Sequence, residues 1–252
     1  MVDIHSHLLP GVDDGSKSVE MSLPVLERFI DDGVECLVLT PHLMASQANN
    51  APHERNLAIF EELLSVAPRG LELRLGWEIM LDEPRMDLRA PHLALGGSRA
   101  VLVEFSHQRV PMAAAAELYR LRSSGVVPVL AHPERYYGCT VETVEEWRHA
   151  GAVIQMDTGG LLGKGAISKL SRALVEEGLV DLFASDNHGD SRSLATARDW
   201  LREVATADHA ELLTRTNARR LLDGLPVLPV PPMPLGGGIF GRLREIFLAR
   251  RQ

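Results

Sequence analysis

An α/β fold built on parallel strands is what this sequence predicts, and two observations predict it. Short runs rich in Val, Ile and Leu recur at strand length, and they are continuously apolar where a half-exposed strand would alternate. That is how strands buried on both faces read. Between them lie stretches with apolar residues at helical spacing, each followed by a glycine. Seven strands alternating with helices leave two architectures open, a doubly wound open sheet or a barrel.

In chain order, strands are expected at residues 1–4, 35–39, 71–76, 100–105, 126–130, 152–156 and 180–184. Leu23, Leu26, Phe29 and Ile30 form the first helical stripe, ended by Gly33. Leu57, Phe60, Leu63 and Leu64 form the second, and Leu118 and Leu121 before Gly125 the third. Trp147 lies on the fourth, stopped by Gly151, and Leu170, Leu174 and Val175 before Gly178 give the fifth. Gly159, Gly160, Gly163 and Gly165 make one loop glycine-dense, but they match neither dinucleotide nor Walker phosphate loops. Residues 225–235 then carry five of the chain's fifteen prolines. They are expected to leave the globular body near residue 225, so that residues 225–238 form a semi-rigid linker. Residues 239–252 read as a short basic amphipathic helix. Ile239, Phe240, Leu243, Ile246 and Phe247 fall on one side, and Arg242, Arg250 and Arg251 towards the other.

The 252 residues are 45% hydrophobic and 24% charged, which excludes a disordered or collagenous chain. A net charge of −8 argues against general nucleic-acid binding, because no broad cationic field exists to displace counterions from phosphates. Two cysteines, Cys36 and Cys139, are too few for a disulfide framework or a thiolate zinc site. Neither is followed by Arg at the sixth position, as a cysteine-dependent tyrosine phosphatase requires. His42 and Glu145 stand there. With no run of 18 apolar residues and no basic, apolar leader at the start, a cytoplasmic protein is expected.

The functional signal is what ends each strand. The first ends in His5-Ser6-His7, the second in Thr40-Pro41-His42 and the third in Trp77-Glu78. Glu104 closes the fourth, His132-Pro133-Glu134-Arg135 follows the fifth, and Ser185-Asp186-Asn187-His188 follows the seventh. Parallel strands present their carboxyl ends on one surface, where sites are built. Imidazoles and carboxylates gathered there repel one another unless cations neutralise them. Nitrogen and oxygen donors without thiolate suit Mn, Fe or Zn. His5 and His7, two apart, fall on one side of a strand and are able to grip one ion.

These motifs, together with the His5-Ser6-His7-Leu8-Leu9-Pro10-Gly11-Val12-Asp13-Asp14-Gly15 opening, resemble the polymerase and histidinol phosphatase (PHP) superfamily. Within it they are similar to the bacterial manganese-dependent tyrosine-protein phosphatases of the CpsB/CapC type, found with capsular and exopolysaccharide operons. The resemblance spans residues 1–224, with residues 217–222 matching the closing helix. It implies a distorted (β/α)7 TIM-like barrel with three divalent ions, Mn2+ first and Fe or Zn as options. His5, His7, Glu78 and Asp186 would hold one. Glu78, Glu104 and His132 would hold a second, and Asp14, His42 and His188 the third.

Three divalent ions against four carboxylates leave a local cationic pocket for a phosphate dianion. A metal-bound hydroxide is then the expected nucleophile. Arg135 and Arg192 are placed to grip the phosphate, with surface ion pairing as the simpler alternative. No general acid stands out, though His107 and Asn187 are candidates. The implied substrate is the phosphotyrosine tail of a membrane-associated bacterial tyrosine autokinase, and a small-molecule phosphatase such as histidinol phosphatase is the alternative. The C-terminal helix is expected to dock on the body, on a second subunit, or on the kinase or the inner face of the membrane. Oligomerisation stays open.

Overall fold

The structure, a computed structural model, describes residues 1–108 and 110–233. Its elements run β1 (Val2–Asp3), α1 (Val19–Asp31), β2 (Cys36–Leu39), β3 (His42–Met44), α2 (His53–Val66), β4 (Glu72–Leu75) and β5 (Glu78–Met80). Then come β6 (Ala100–Glu104), α3 (Ala114–Ser123), β7 (Val127–Ala131), α4 (Val141–His149), β8 (Val153–Asp157), α5 (Ala166–Glu176) and β9 (Leu182–Ala184). Three helices, α6 (Ala195–Val204), α7 (Ala207–Glu211) and α8 (Asn217–Leu222), complete the body.

Every strand pair is parallel, as continuous apolar runs joined by helices require. Hydrogen bonding orders them as β1-β2-β4 and β3-β5-β6-β7-β8-β9. The two groups are parts of one ring. Thr40-Pro41 separates β2 from β3, because proline has no N–H to continue the ladder. Gly76-Trp77 likewise separates β4 from β5, which the sequence reading had as one strand ending in Glu78. The ladder resumes across both gaps through Gly76 N to Leu39 O (2.9 Å) and Glu78 N to Pro41 O (3.1 Å). At the seam, Ser6 bridges Asn187, Asp186 N donates to His5 O (3.0 Å) and His7 N to Asn187 O (2.7 Å). First and last strands therefore meet.

Because strand side chains alternate, each strand serves two cores. Val2, Ile4, Cys36, Val38, Ala100, Leu102, Val129, Val153, Leu182 and Ala184 form the interior, closed at its base by Ala218, Leu221 and Leu222 of α8. The intervening residues, such as Leu37, Val101, Val103, Leu130, Ile154 and Phe183, pack with Leu26, Phe29, Leu118, Leu121, Trp147 and Leu174 of the helices. The α2 stripe departs from expectation. Leu63 is fully buried, but Leu57 and Leu64 are exposed and Asn56 takes a buried place. The buried line runs one residue back around the helix, 100° from the apolar one.

The chain also does not leave the body at residue 225. Leu228 N donates to Asn217 Oδ1 (2.8 Å), Met233 N donates to Glu176 O (3.0 Å), and Val230 and Met233 are buried. Gly178, at φ +67°, makes room for this passage, since a Cβ there would stand 2.6 Å from Val230 O. The helix expected over residues 239–252 lies outside the described residues.

Candidate metal centre

The interior columns change character towards the carboxyl ends of the strands. On β6 the column reads Ala100, Leu102, Glu104. On β8 it reads Val153, Gln155, Asp157, and on β9 Leu182 and Ala184 lead to Asp186. The apolar part of each column fills the barrel, and the next residue of the same parity is polar and buried. Glu104 and Asp186 thereby share one rim with Glu78 at the start of β5, with His132 just beyond the end of β7, and with His5 and His7 beside the seam.

Nε2 of His5 and Nε2 of His7 lie 3.1 Å apart. Glu78 Oε2 is 3.3 and 3.2 Å from them, and Asp186 Oδ1 the same two distances. His132 Nε2 stands 2.8 Å from Glu78 Oε1 and 3.9 Å from Glu104 Oε2. His42 Nδ1 is 3.0 Å from Glu78 Oε2, so Glu78 touches four imidazoles. On the solvent side, Asp14 Oδ1 lies 3.4 Å from His42 Nε2 and 3.5 Å from His188 Nε2. All nine candidate donors thus come together in overlapping groups whose ligand atoms lie within 4.8 Å of one another. His132 (φ 34°) and Asp186 (φ 49°) occupy the left-handed region, a strained backbone held where side chains must turn inward.

The charges are balanced internally. Burial opposes ionisation of His5, His7 and His42, yet the facing carboxylates outweigh it and raise all three, His7 the most. Burial likewise works against the Glu78 and Asp186 carboxylates, and the imidazoles around them overcome it and hold both low. His132, enclosed, is pushed down by burial.

The donor set suits divalent cations. His5 Nδ1 is hydrogen-bonded to Gln155 Oε1 (2.9 Å) and His7 Nδ1 to Asp13 Oδ2 (2.8 Å). With Nδ1 engaged in these bonds, both Nε2 atoms are turned towards each other and towards the Glu78 and Asp186 carboxylates, a donor set suited to holding a cation. His132 Nδ1 is buried with no partner among the described residues.

Asp13 and Gln155 are functional residues that the strand-end reading did not single out. The signal for Gln155 is an amide inside the apolar β8. For Asp13 it is the Asp-Asp pair, of which only Asp14 was assigned. Tyr136, also unflagged, fixes the rim by donating to Ala131 O (2.8 Å) and accepting from Phe105 N (3.1 Å).

The two arginines converge on one carboxylate. Arg135 Nη2 donates to Asp186 Oδ2 (2.7 Å) and to Asp157, and Arg192 Nη1 reaches Asp186 Oδ2 at 3.1 Å. Arg192 also contacts Asp190 and His188. Only Nη2 of Arg135 is engaged among the described residues. His107 Nε2 stands 3.4 Å from Glu104 Oε2 at the rim. The Asn187 amide is spent on the loop after it, donating to Asp190 O (3.1 Å) and Arg192 O (2.6 Å).

Comparison with known proteins points the same way. Residues 1–223 match the family model for capsular polysaccharide synthesis, CpsB/CapC. CapC of Staphylococcus aureus is 30% identical over 196 residues, 75% of this chain and 77% of that one. The tyrosine-protein phosphatase YwqE of Bacillus subtilis is 29% identical over 255 residues, covering 93% of this chain and 96% of its own. Among solved structures, a chain from the crystal structures of YwqE from Bacillus subtilis and CpsB from Streptococcus pneumoniae, metal-dependent tyrosine phosphatases, superposes with a TM-score of 0.75. It is 26% identical, and the match covers 94% of this chain and all of that one.

Proposed function

The chain belongs to the CpsB/CapC family, and from that premise we propose that it is a metal-dependent protein-tyrosine phosphatase. The observation that carries the reading is the overlap of five donor groups around Glu78 and the His5–His7 pair. Three divalent ions, Mn2+ ahead of Fe or Zn, suit these residues: His5, His7, Glu78 and Asp186 for one, Glu78, Glu104 and His132 for another, Asp14, His42 and His188 for the outermost. Such ions, when bound, lower the pKa of water to roughly 7 and draw charge from phosphoryl oxygens.

The chain's own residues supply positioning. Asp13 and Gln155 hold the imidazoles of His7 and His5 with Nε2 inward. Asp186 anchors Arg135 and Arg192, the latter also touching the outer donor His188, and their remaining N–H groups bind phosphate oxygens. A tyrosine leaving group, with a pKa near about 10, leaves with little help from a general acid.

A polypeptide substrate is supported by the same rim. Met44, Met112, Tyr137 and Leu162 are all exposed, and all lie at or after the carboxyl ends of strands. A small polar phosphate ester would use no such surface. The partner we propose is the phosphotyrosine-bearing bacterial tyrosine kinase of capsule or exopolysaccharide synthesis. Thiol chemistry has no support here, because burial pushes the thiols of Cys36 and Cys139 up to about 12. Among the described residues no helix is long and apolar enough to cross a membrane.

The test is hydrolysis of p-nitrophenyl phosphate and a phosphotyrosyl peptide after chelation and metal replacement. Turnover restored by Mn2+ and indifferent to thiol alkylation is expected. No turnover with any divalent ion, or a preference for histidinol phosphate over the peptide, overturns the proposal.

A further inference from the structure

A cavity lies at the opposite end of the barrel from the metal centre. It is a half-open hollow of about 640 Å³, bordered by Ala100, Val127 and Val153, the first residues of β6, β7 and β8. That is the size of a pocket for a small organic molecule.

Its charges are unevenly committed. Arg148 is held in place, donating to Asp181 Oδ1 (2.7 Å) and Gly178 O (3.2 Å). Asp181 is in turn spent on Arg148 and on the amide of Ile154 (2.8 Å). Arg99 and Arg122 also line the cavity, and neither has a carboxylate partner among the described residues. The uncommitted charge is therefore two guanidiniums against Glu145, in a chain whose net charge is −8. Arg99, Arg122 and Glu145 are all exposed at the mouth of this hollow, and such a local reversal of sign attracts an anion.

Arg122 is seated by design of the backbone. Gly151, at φ +96°, leaves the place of its Cβ to the Arg122 stem, whose Cγ would stand 2.6 Å from a methyl there. Val127, Leu179 and Val227 add an apolar wall, the last from the segment that runs back along the body. Guanidiniums fix an oxyanion head, and the apolar wall shelters what is attached to it.

We propose that this cavity binds an organic anion: one phosphate, sulfonate or carboxylate head on an apolar body, held by Arg99 and Arg122. The site is separate from the metal centre and does not depend on the phosphatase reading.

The test uses the metal-loaded full chain and 1-anilinonaphthalene-8-sulfonate, followed by its fluorescence. The uncharged N-phenyl-1-naphthylamine serves as the control ligand. Saturable binding of the sulfonate that weakens with added salt is expected. The paired substitution Arg99→Ala and Arg122→Ala should weaken it by about tenfold or more, the loss of one or two charge-assisted bonds. Binding of the neutral analogue and p-nitrophenyl phosphate turnover should not change, which shows the variant folded. Equal sulfonate affinity in the variant overturns the proposal, because the dye is then held elsewhere, as on the exposed apolar rim of the other face. Equal affinity for the charged and uncharged dyes overturns it too, since the cavity is then merely apolar.

Discussion

The inner and outer halves of the donor cluster are built differently. His5, His7, Glu78, His132 and Asp186 are almost wholly buried, while the side chains of Asp14, His42 and His188 are 69%, 42% and 22% exposed. The inner half is held from behind, by Gln155 on His5, Asp13 on His7 and the seam hydrogen bonds on either side of Ser6. In the outer half Asp14 and His188 stand on loops and His42 opens β3, and all three meet solvent. The difference teaches that preorganisation is concentrated where desolvation makes charge expensive, and that ion exchange and substrate entry belong to the open half.

The comparison breaks most sharply at Glu78. Glu78→Ala removes the one carboxylate touching four imidazoles, so bound metal by elemental analysis should fall and turnover should drop to background. Full metal content in this variant would refute the bridging role. Asp14→Ala should act more mildly, lowering turnover in a way that millimolar Mn2+ restores, since only the exposed position is weakened. If excess Mn2+ rescues Glu78→Ala as readily as Asp14→Ala, the two halves are not distinct.

Asp13→Asn and Gln155→Leu sharpen the contrast from behind. Each should cost about 10–100-fold in metal affinity, the usual effect of removing a partner of a ligating histidine. A metal titration monitored by activity reads it directly, and an unchanged midpoint would show that these bonds only fill space.

The smallest effect is expected at Glu134. Burial raises its carboxyl to about 8 from 4.5, and its Oε1 accepts from Asp157 N (2.9 Å) while Oε2 has no partner among the described residues. The folded state thus keeps a proton that the unfolded chain releases. Stability from this group is full below pH 4.5 and is lost as pH rises towards 8. Glu134→Gln keeps the acceptor and removes the titration. Its melting temperature, relative to the parent, should gain steadily between pH 5 and 8, and a constant difference between the two proteins would exclude the assignment.

Much of this was legible in the residues because two-sided burial imposes continuous apolar strands, and a polar residue ending such a run stands out. The family resemblance, carried by motifs such as His5-Ser6-His7 and His132-Pro133-Glu134-Arg135, supplied the barrel. The strand pattern alone left an open sheet possible, since ring closure rests on a single bridge between Ser6 and Asn187. α6 was missed because Ala195, Ala197 and Leu201 are its only buried residues and its remaining positions are largely polar. Leu57 and Leu64 misled because apolar character does not say which arc of a helix meets the sheet. Residues 225–233 misled because prolines suit an extended segment equally well in solvent or laid along a surface, where it has few N–H groups to satisfy.

The seam between the ends of the ring has a consequence for biosynthesis. His5 and His7 emerge from the ribosome early, but Asp186, which faces them, is about 180 residues later. Until that segment arrives, the early imidazoles have Glu78 and β2 to meet but lack the Asp186 carboxylate and the strand on the other side of the seam. A truncated nascent chain therefore cannot assemble the complete cation-binding cluster, and loading of the metals awaits synthesis of almost the whole barrel.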